Sequence, residues 1–288
     1  MSNRHPYASA RWRQSGMALV AVLWMVAFLS IVATGLTRSI RQETRTAALA
    51  WQQAQAQALG DGAIQIALQT LTAKPQQFNQ MTQADIAYGG VSMQVQVIPL
   101  NGLVDINAAG QALLEKTFVV AGGLSAQAAQ AAAQAVVEAR QRRDAQGRAQ
   151  RFEAEEDLMQ VPGIDYDLYA RLAPLLTADL QGSGRVNPLA APVEVLTVLS
   201  GGNVGAAARI AAARDAGAVG VDTSSLDGSL IDRASTRTLR LQARVPMADG
   251  TIVRVSRSVD LSARTADGAP WYTFRTSTSV ESPRPKTS

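Results

Sequence analysis

Hydrophobic and polar positions divide the chain into three kinds of stretch. Met17 to Leu36 (MALVAVLWMVAFLSIVATGL) carries no charged residue, and ten of its side chains are Leu, Ile, Phe or Val. At about 1.5 Å per residue a helix of this length reaches roughly 30 Å, the thickness of a bilayer's hydrocarbon core. A transmembrane segment is therefore expected at 17–36. Small and apolar residues then recur at spacings of three and four, at Ala47, Trp51, Ala54, Ala58, Gly62 and Ile66. Nothing interrupts the helix before Lys74-Pro75, so its continuation is expected over 37–73. Such a helix needs a sheet or other helices against its small-residue stripe.

Two later stretches alternate with period two. Val91, Met93, Val95 and Val97 share one face, which predicts a half-buried antiparallel strand. Far downstream Leu239, Leu241, Ala243 and Val245 share another. The turn Ala248-Asp249-Gly250 follows, and then Thr251, Val253, Val255, Arg257 and Val259, which together predict a hairpin. The outward Arg240, Arg244 and Arg254 fit a solvated sheet face. A sheet is thus expected from 86–104 and 235–275. Over 105–232 the alternation gives way to short helices. Asn107 is a candidate cap for one ending at Gly122-Gly123, Ser125 for an Ala/Gln-rich one, and Asp165 for one after the Pro162-Gly163 turn. Two more are expected after Pro192 and Asn203. Asn107-Ala-Ala-Gly-Gln-Ala-Leu-Leu114 is echoed by Leu189-Ala-Ala-Pro-Val-Glu-Val-Leu196, and each copy would start a helix. The Ser/Thr/Pro-rich end, 276–288, is expected to be disordered.

Composition removes several chemistries. The chain of 288 residues has no cysteine, so thiol nucleophiles, thiolate metal sites and disulfides are excluded. Its single histidine is His5, ahead of the apolar run, so imidazole catalysis and His-metal sites have no residue in the body of the chain. No catalytic residue is assigned and no enzyme is expected. Net charge is +4 and the pI about 9.7, which fits either an Arg-rich solvated surface or a nucleic-acid footprint. Gly201-Gly-Asn-Val-Gly205 is read as a helix stop followed by a cap, since no Lys-Ser/Thr follows it.

The residues ahead of the apolar run, 1–16, are polar and basic (Arg4, Arg11, Arg13) and end in Ser15-Gly16. A secretory signal would have a shorter apolar core with a small-x-small site after it. Here the small residue stands before the run. The segment resembles a prepilin-type leader, cut after Gly16 to leave Met17 as the first residue. A wider resemblance rests on Gly16–Trp24, Asp105-Ile-Asn-Ala-Ala109, Phe152-Glu-Ala-Glu-Glu-Asp-Leu-Met-Gln-Val-Pro-Gly-Ile164, Leu168–Leu176, Arg185-Val-Asn-Pro188 and Ala191-Pro192. In this order they resemble the K-type minor pseudopilins of bacterial type II secretion systems. The resemblance implies an α+β fold, with a pilin-like long N-terminal helix packed on an antiparallel sheet and a large all-α domain inserted between strands. It implies a protein of the bacterial inner membrane, single-pass, with its N-terminus cytoplasmic and its bulk in the periplasm. It also implies a place at the tip of the periplasmic pseudopilus, capping the filament and supporting export of folded proteins. The implied partners are the I- and J-type minor pseudopilins, the other pseudopilins, the inner membrane and the prepilin peptidase, which can also methylate Met17. Secreted substrates and the outer-membrane secretin are further candidates; no nucleic acid is expected.

Two site expectations follow from the resemblance. Ala21, fifth after Gly16, stands where most pilins carry a glutamate that neutralises a neighbouring N-terminus, and so marks a position at the filament end. The family can bind calcium, for which Glu153, Glu156, Asp157 and Asp165 are the candidate ligands. Against this, the loop Arg140–Gly147 is basic where the family is often acidic, and acids at a helix N-terminus explain Glu153–Asp157 without a metal. No other cofactor is implied. The rival reading is a membrane-anchored DNA receptor, since Val161-Pro-Gly-Ile164 between two helices resembles a helix-hairpin-helix. Asp165 replaces the second hairpin glycine and would repel phosphate.

Overall fold

The structure is a computed structural model that describes residues 15–73, 78–143, 147, 149–180, 182–262, 265 and 268–281, with all of their side chains except those of 15–18 and 31–46. Helix α1 (Ser15–Thr72) runs without a break, as the absence of proline before Pro75 allows. It passes from one compact unit, Met1–Gln55, into a second, Ala56–Ser288. In the first unit Leu19, Leu23, Trp24 and Phe28 are all exposed. Among the described residues no helix is long and apolar enough to cross a membrane. The expected span, 17–36, has described side chains only over Leu19–Ser30, and the rest of it lies outside them.

The second unit contains a five-stranded antiparallel sheet in the order β1 (Thr82–Tyr88), β2 (Val91–Pro99), β5 (Thr238–Pro246), β6 (Ile252–Asp260), β7 (Tyr272–Glu281). Alternation sets which face is greasy. Met93, Val95, Leu239, Leu241, Ala243, Val245, Val253 and Val255 all point to one side, where they meet Ala56, Ala63, Ile64, Ala67 and Leu68 of α1. The β5–β6 turn has the expected chemistry: Gly250 has a positive φ and Asp249 accepts from the Thr251 amide. The stripe on α1 differs from the one expected. Ala54, Ala58 and Ile66 are exposed, and the sheet is met by a neighbouring row that includes Gly60. Alanine and glycine occur on every side of this helix, so periodicity does not single out a face. Ile64 and Leu68 are large enough to decide it.

Between β2 and β5 the chain forms mainly helices: α2 (Gln111–Val120), α3 (Ala126–Gln141), α4 (Tyr166–Leu172), α5 (Val193–Leu199) and α6 (Val204–Asp215). They enclose a second core around Leu113, Leu114, Phe118, Leu158, Leu172, Leu196 and Leu199. Ser125, Asp165 and Asn203 cap α3, α4 and α6 through their side chains, as expected. The segment is not all-α. Two short strands, β3 (Val104–Asp105) and β4 (Leu176–Thr177), pair in parallel within it. The alternating pattern needs more than two residues to be visible, so this pair left no periodic signal. At the other end β7 continues to Glu281, where disorder was expected from residue 276. Its Ser/Thr run pairs with β6 because β-branched threonines suit an extended backbone. Residues 282–288 lie outside the described ones.

Candidate functional site

Three asparagines stitch the helical segments together. The Asn107 amide donates to the carbonyls of Phe152 and Ala178 at 3.0 and 2.9 Å, and its carbonyl accepts from the Phe152 amide. It does not cap a helix, because α2 begins four residues later with Gly110 as its N-cap. Asn187 donates to the carbonyls of Asn79 and Ala234, and Asn101 also reaches Ala234. The internal echo is real in one respect. Gly110 and Pro192 occupy the same place in the two copies, and each is the N-cap of its helix.

Next to Asn107, Asp105 is buried. Its Oδ1 accepts from the Asn107 amide, but its Oδ2 has no partner. Burial is the main influence and pushes its pKa up to about 6, against the smaller opposing pull of hydrogen bonds and of Arg151 and Arg140.

A second group of charges joins the outer face of the sheet to the helical segments. Arg240 of β5 donates to Glu155 Oε1 at 2.8 Å and to the Leu176 carbonyl at 3.1 Å, and both side chains of that ion pair are buried. Arg275 of β7 holds Asp179 by two parallel bonds of 2.8 Å and also lies 3.3 Å from Glu155. Burial pushes the Glu155 carboxyl up and the Arg240 guanidinium down, while their mutual attraction opposes both. The bonds to Asp179 hold Arg275 above its ordinary range. Tyr169 is pushed up by burial and then by Glu156 beside it. Arg240, expected on a solvated face, is thus only 7% exposed. The helical segments cover that end of the sheet, which strand periodicity cannot reveal.

The residues singled out from the sequence are dispersed. Residues 1–14 lie outside the described residues, as do the side chains of Gly16 and Met17. Ala21 is exposed on α1. Asp157 accepts from the amides of Glu153 and Ala154 and from Gln160, which fixes the start of the 3₁₀ turn Glu155–Gln160. Asp165 caps α4 by accepting from the Leu168 amide at 2.8 Å. Glu156 faces Arg275 at 3.8 Å, and Glu153 is exposed. Among the described residues no three acidic groups are gathered where they could hold a metal ion. The residues that do gather others around them fall in separate groups, Asp105 with Asn107, Asn187 with Asn101 at the Ala234 carbonyl, and Arg240 with Arg275 at Glu155. In the sequence Asp105, Asn107 and Asn187 stand out only as parts of the motifs Asp105-Ile-Asn-Ala-Ala109 and Arg185-Val-Asn-Pro188.

No family model matches the chain, and no curated protein matches it. Among solved structures the chain is similar to one in the crystal structure of the GspK-GspI-GspJ complex from the enterotoxigenic Escherichia coli type 2 secretion system. That likeness covers 85% of this chain and 100% of that chain, at 17% sequence identity and a TM-score of 0.45.

Proposed function

We propose that this chain is a K-type minor pseudopilin of a type II secretion system, a non-enzymatic subunit that caps the periplasmic filament. The observation that carries the reading is the arrangement of the chain's elements. One 58-residue helix packs its second half on an antiparallel sheet, and helical segments intervene between the second and third strands of that sheet. The ordered motifs from Gly16 to Pro192 support it further. In this reading the peptidase removes residues 1–16, and the apolar start of α1 first anchors the chain in the inner membrane and is later drawn into the filament. Ala21 offers no carboxylate to a following subunit's ammonium, and an unpaired charge in the membrane is costly, so the chain suits a terminal position. The helical segments add bulk beside the sheet and oppose further stacking. The I- and J-type subunits are the expected neighbours.

The test is N-terminal mass analysis of the membrane form, with and without the prepilin peptidase. A mature chain starting at Met17 is expected only when the peptidase is present. Retention of Met1, or loss of the whole 17–36 segment, would sink the reading. Asp165 disfavours the DNA-receptor alternative, since its carboxylate lies at the start of α4 where a phosphate would approach.

A further inference from the structure

The positive charge of the chain is gathered in one place. Residues 140–151 hold five arginines against one aspartate, a net +4, which equals the net charge of all 288 residues. Within this stretch Arg142, Arg143 and Arg151 are exposed. Among the described residues Arg142 and Arg151 have no hydrogen bond or ion pair, and Arg143 donates to the Gly147 carbonyl at 2.6 Å. Elsewhere the arginines are neutralised: Arg214, Arg240, Arg244, Arg254, Arg257 and Arg275 each meet a carboxylate. The backbone fixes the unpaired ones. The Gln150 amide donates to the Arg142 carbonyl at 2.7 Å, and Arg143 and Ala149 form an antiparallel bridge. Both roots are tied down, since Arg140 donates to the Ile106 carbonyl at 3.1 Å and Phe152 is bonded both ways to Asn107. Charges presented from a fixed frame lose less freedom on binding.

A guanidinium presents a planar fork of donors that matches a carboxylate or a phosphate in two parallel bonds. The neighbouring groups choose between these. Arg142 and Arg151 line a recess of about 360 Å³ together with Gln150, Gln160, Glu153 and Asp157. Asp157 is occupied by the amides of its own turn, whereas Glu153 is exposed. A free acid thus stands among the free arginines. A nucleic-acid duplex or an anionic membrane is negative over its whole surface and would meet Glu153 as well. A protein carries both signs and can set a local group of carboxylates against the arginines alone. We infer that Arg142, Arg143 and Arg151 form a docking surface for a cluster of carboxylates on a protein partner. The surface does not depend on the filament role, so the two can fail separately.

Fluorescence anisotropy with the full chain in a zwitterionic detergent tests this. The probe is a labelled peptide of alternating Glu and Gly. Its Lys/Gly counterpart and a labelled DNA duplex of equal charge serve as comparisons, and soluble short-chain phosphatidylglycerol serves as competitor. Saturable binding of the acidic peptide is expected at low salt, with Kd of about 0.1 mM or tighter. Raising the salt to about 0.15 M should weaken it roughly tenfold, because exposed pairs are screened. Arg142→Gln and Arg151→Gln should each weaken it about two- to fivefold, and together about tenfold, the range for exposed ion pairs. Both positions are exposed, so Tm should not move. Arg209→Gln removes an exposed arginine of α6 and should leave the affinity unchanged. No saturable binding of the acidic peptide, an equal loss in Arg209→Gln, tighter binding of the duplex, or displacement of the peptide by the lipid overturns the inference.

Discussion

Asp105 is held where its charge is poorly supported, and this gives stability a pH dependence of a definite sign. Its pKa rises from an ordinary 3.8 to about 6 in the folded chain. Between these values the folded state binds more proton than the unfolded state. Asp105 therefore makes the fold less stable as pH rises from about 4 to above 6, and the penalty is complete beyond that, at no more than about 3 kcal/mol. Asp105→Asn keeps an oxygen for the Asn107 amide and removes the ionisation. The variant is expected to be more stable than the parent at pH 8, with the gain shrinking to nothing near pH 4. Urea midpoints across that range measure it, and a gain independent of pH would refute the assignment. Gly60 offers a second test on this scale. A Cβ there would lie 2.6 Å from Val255 Cγ2, inside the packed sheet. At Gly62 the conflict is with the ring of Tyr88, which is 46% exposed and can swing away. Alanine normally favours a helix over glycine by about 1 kcal/mol. Gly60→Ala should nevertheless destabilise by about 1–3 kcal/mol through overpacking. Gly62→Ala should cost clearly less, and equal losses in thermal unfolding would show that the helix–sheet approach is not what fixes Gly60.

Between elements, the contacts that matter most are the ion pairs joining β5 and β7 to the 3₁₀ turn and to Asp179. Removing one partner of a buried pair leaves an uncompensated charge, so Arg240→Met is expected to cost about 3–5 kcal/mol. Arg240→Met combined with Glu155→Leu should cost less than either alone, because no orphan charge then remains. A double-mutant cycle by urea denaturation reads the coupling, and strict additivity would mean the pair is not a functioning bond. These links also mark where sequence reasoning stopped. Caps at Ser125, Asp165 and Asn203 were legible because the residue and the helix it starts are adjacent in the chain. Leu239 to Val245 and Val253 to Val259 were legible because burial on one face imposes period two. Arg240 meets Glu155 across 85 positions, and no local pattern carries that. The same holds for Asn107, whose Asx chemistry suggests a cap while its real partners lie at Phe152 and Ala178. The face of α1 was ambiguous for another reason, namely that a helix of alanines presents small residues in every direction. Strand β1 was largely missed because it lies at the sheet edge, where exposure on both faces erases alternation.

On the scale of the whole second unit, two hydrophobic cores share one sheet, and their joint stability depends on how well the polar boundary couples them. The core against α1 holds Leu241, Val255 and Ile64; the other holds Phe118, Leu158 and Leu172. The short strands and asparagine hubs organise the second core internally. Arg275 ties it to the edge strand through Asp179, Glu155 and the Glu153 carbonyl at 2.9 Å. With so many charge-assisted bonds on one side chain, neither core can loosen without exposing carboxylates that then lack a cation. The parent should accordingly unfold in one cooperative step. Trp271 packs partly buried against the core beside α1 and reports on it by fluorescence, whereas helical circular dichroism includes the helices of the second core. The two urea curves should coincide in the parent. In Arg275→Met the dichroism is expected to fall first, with the fluorescence transition following at higher urea. A single coincident transition in that variant would mean that packing alone, and not the ion pairs at the boundary, makes the two cores behave as one.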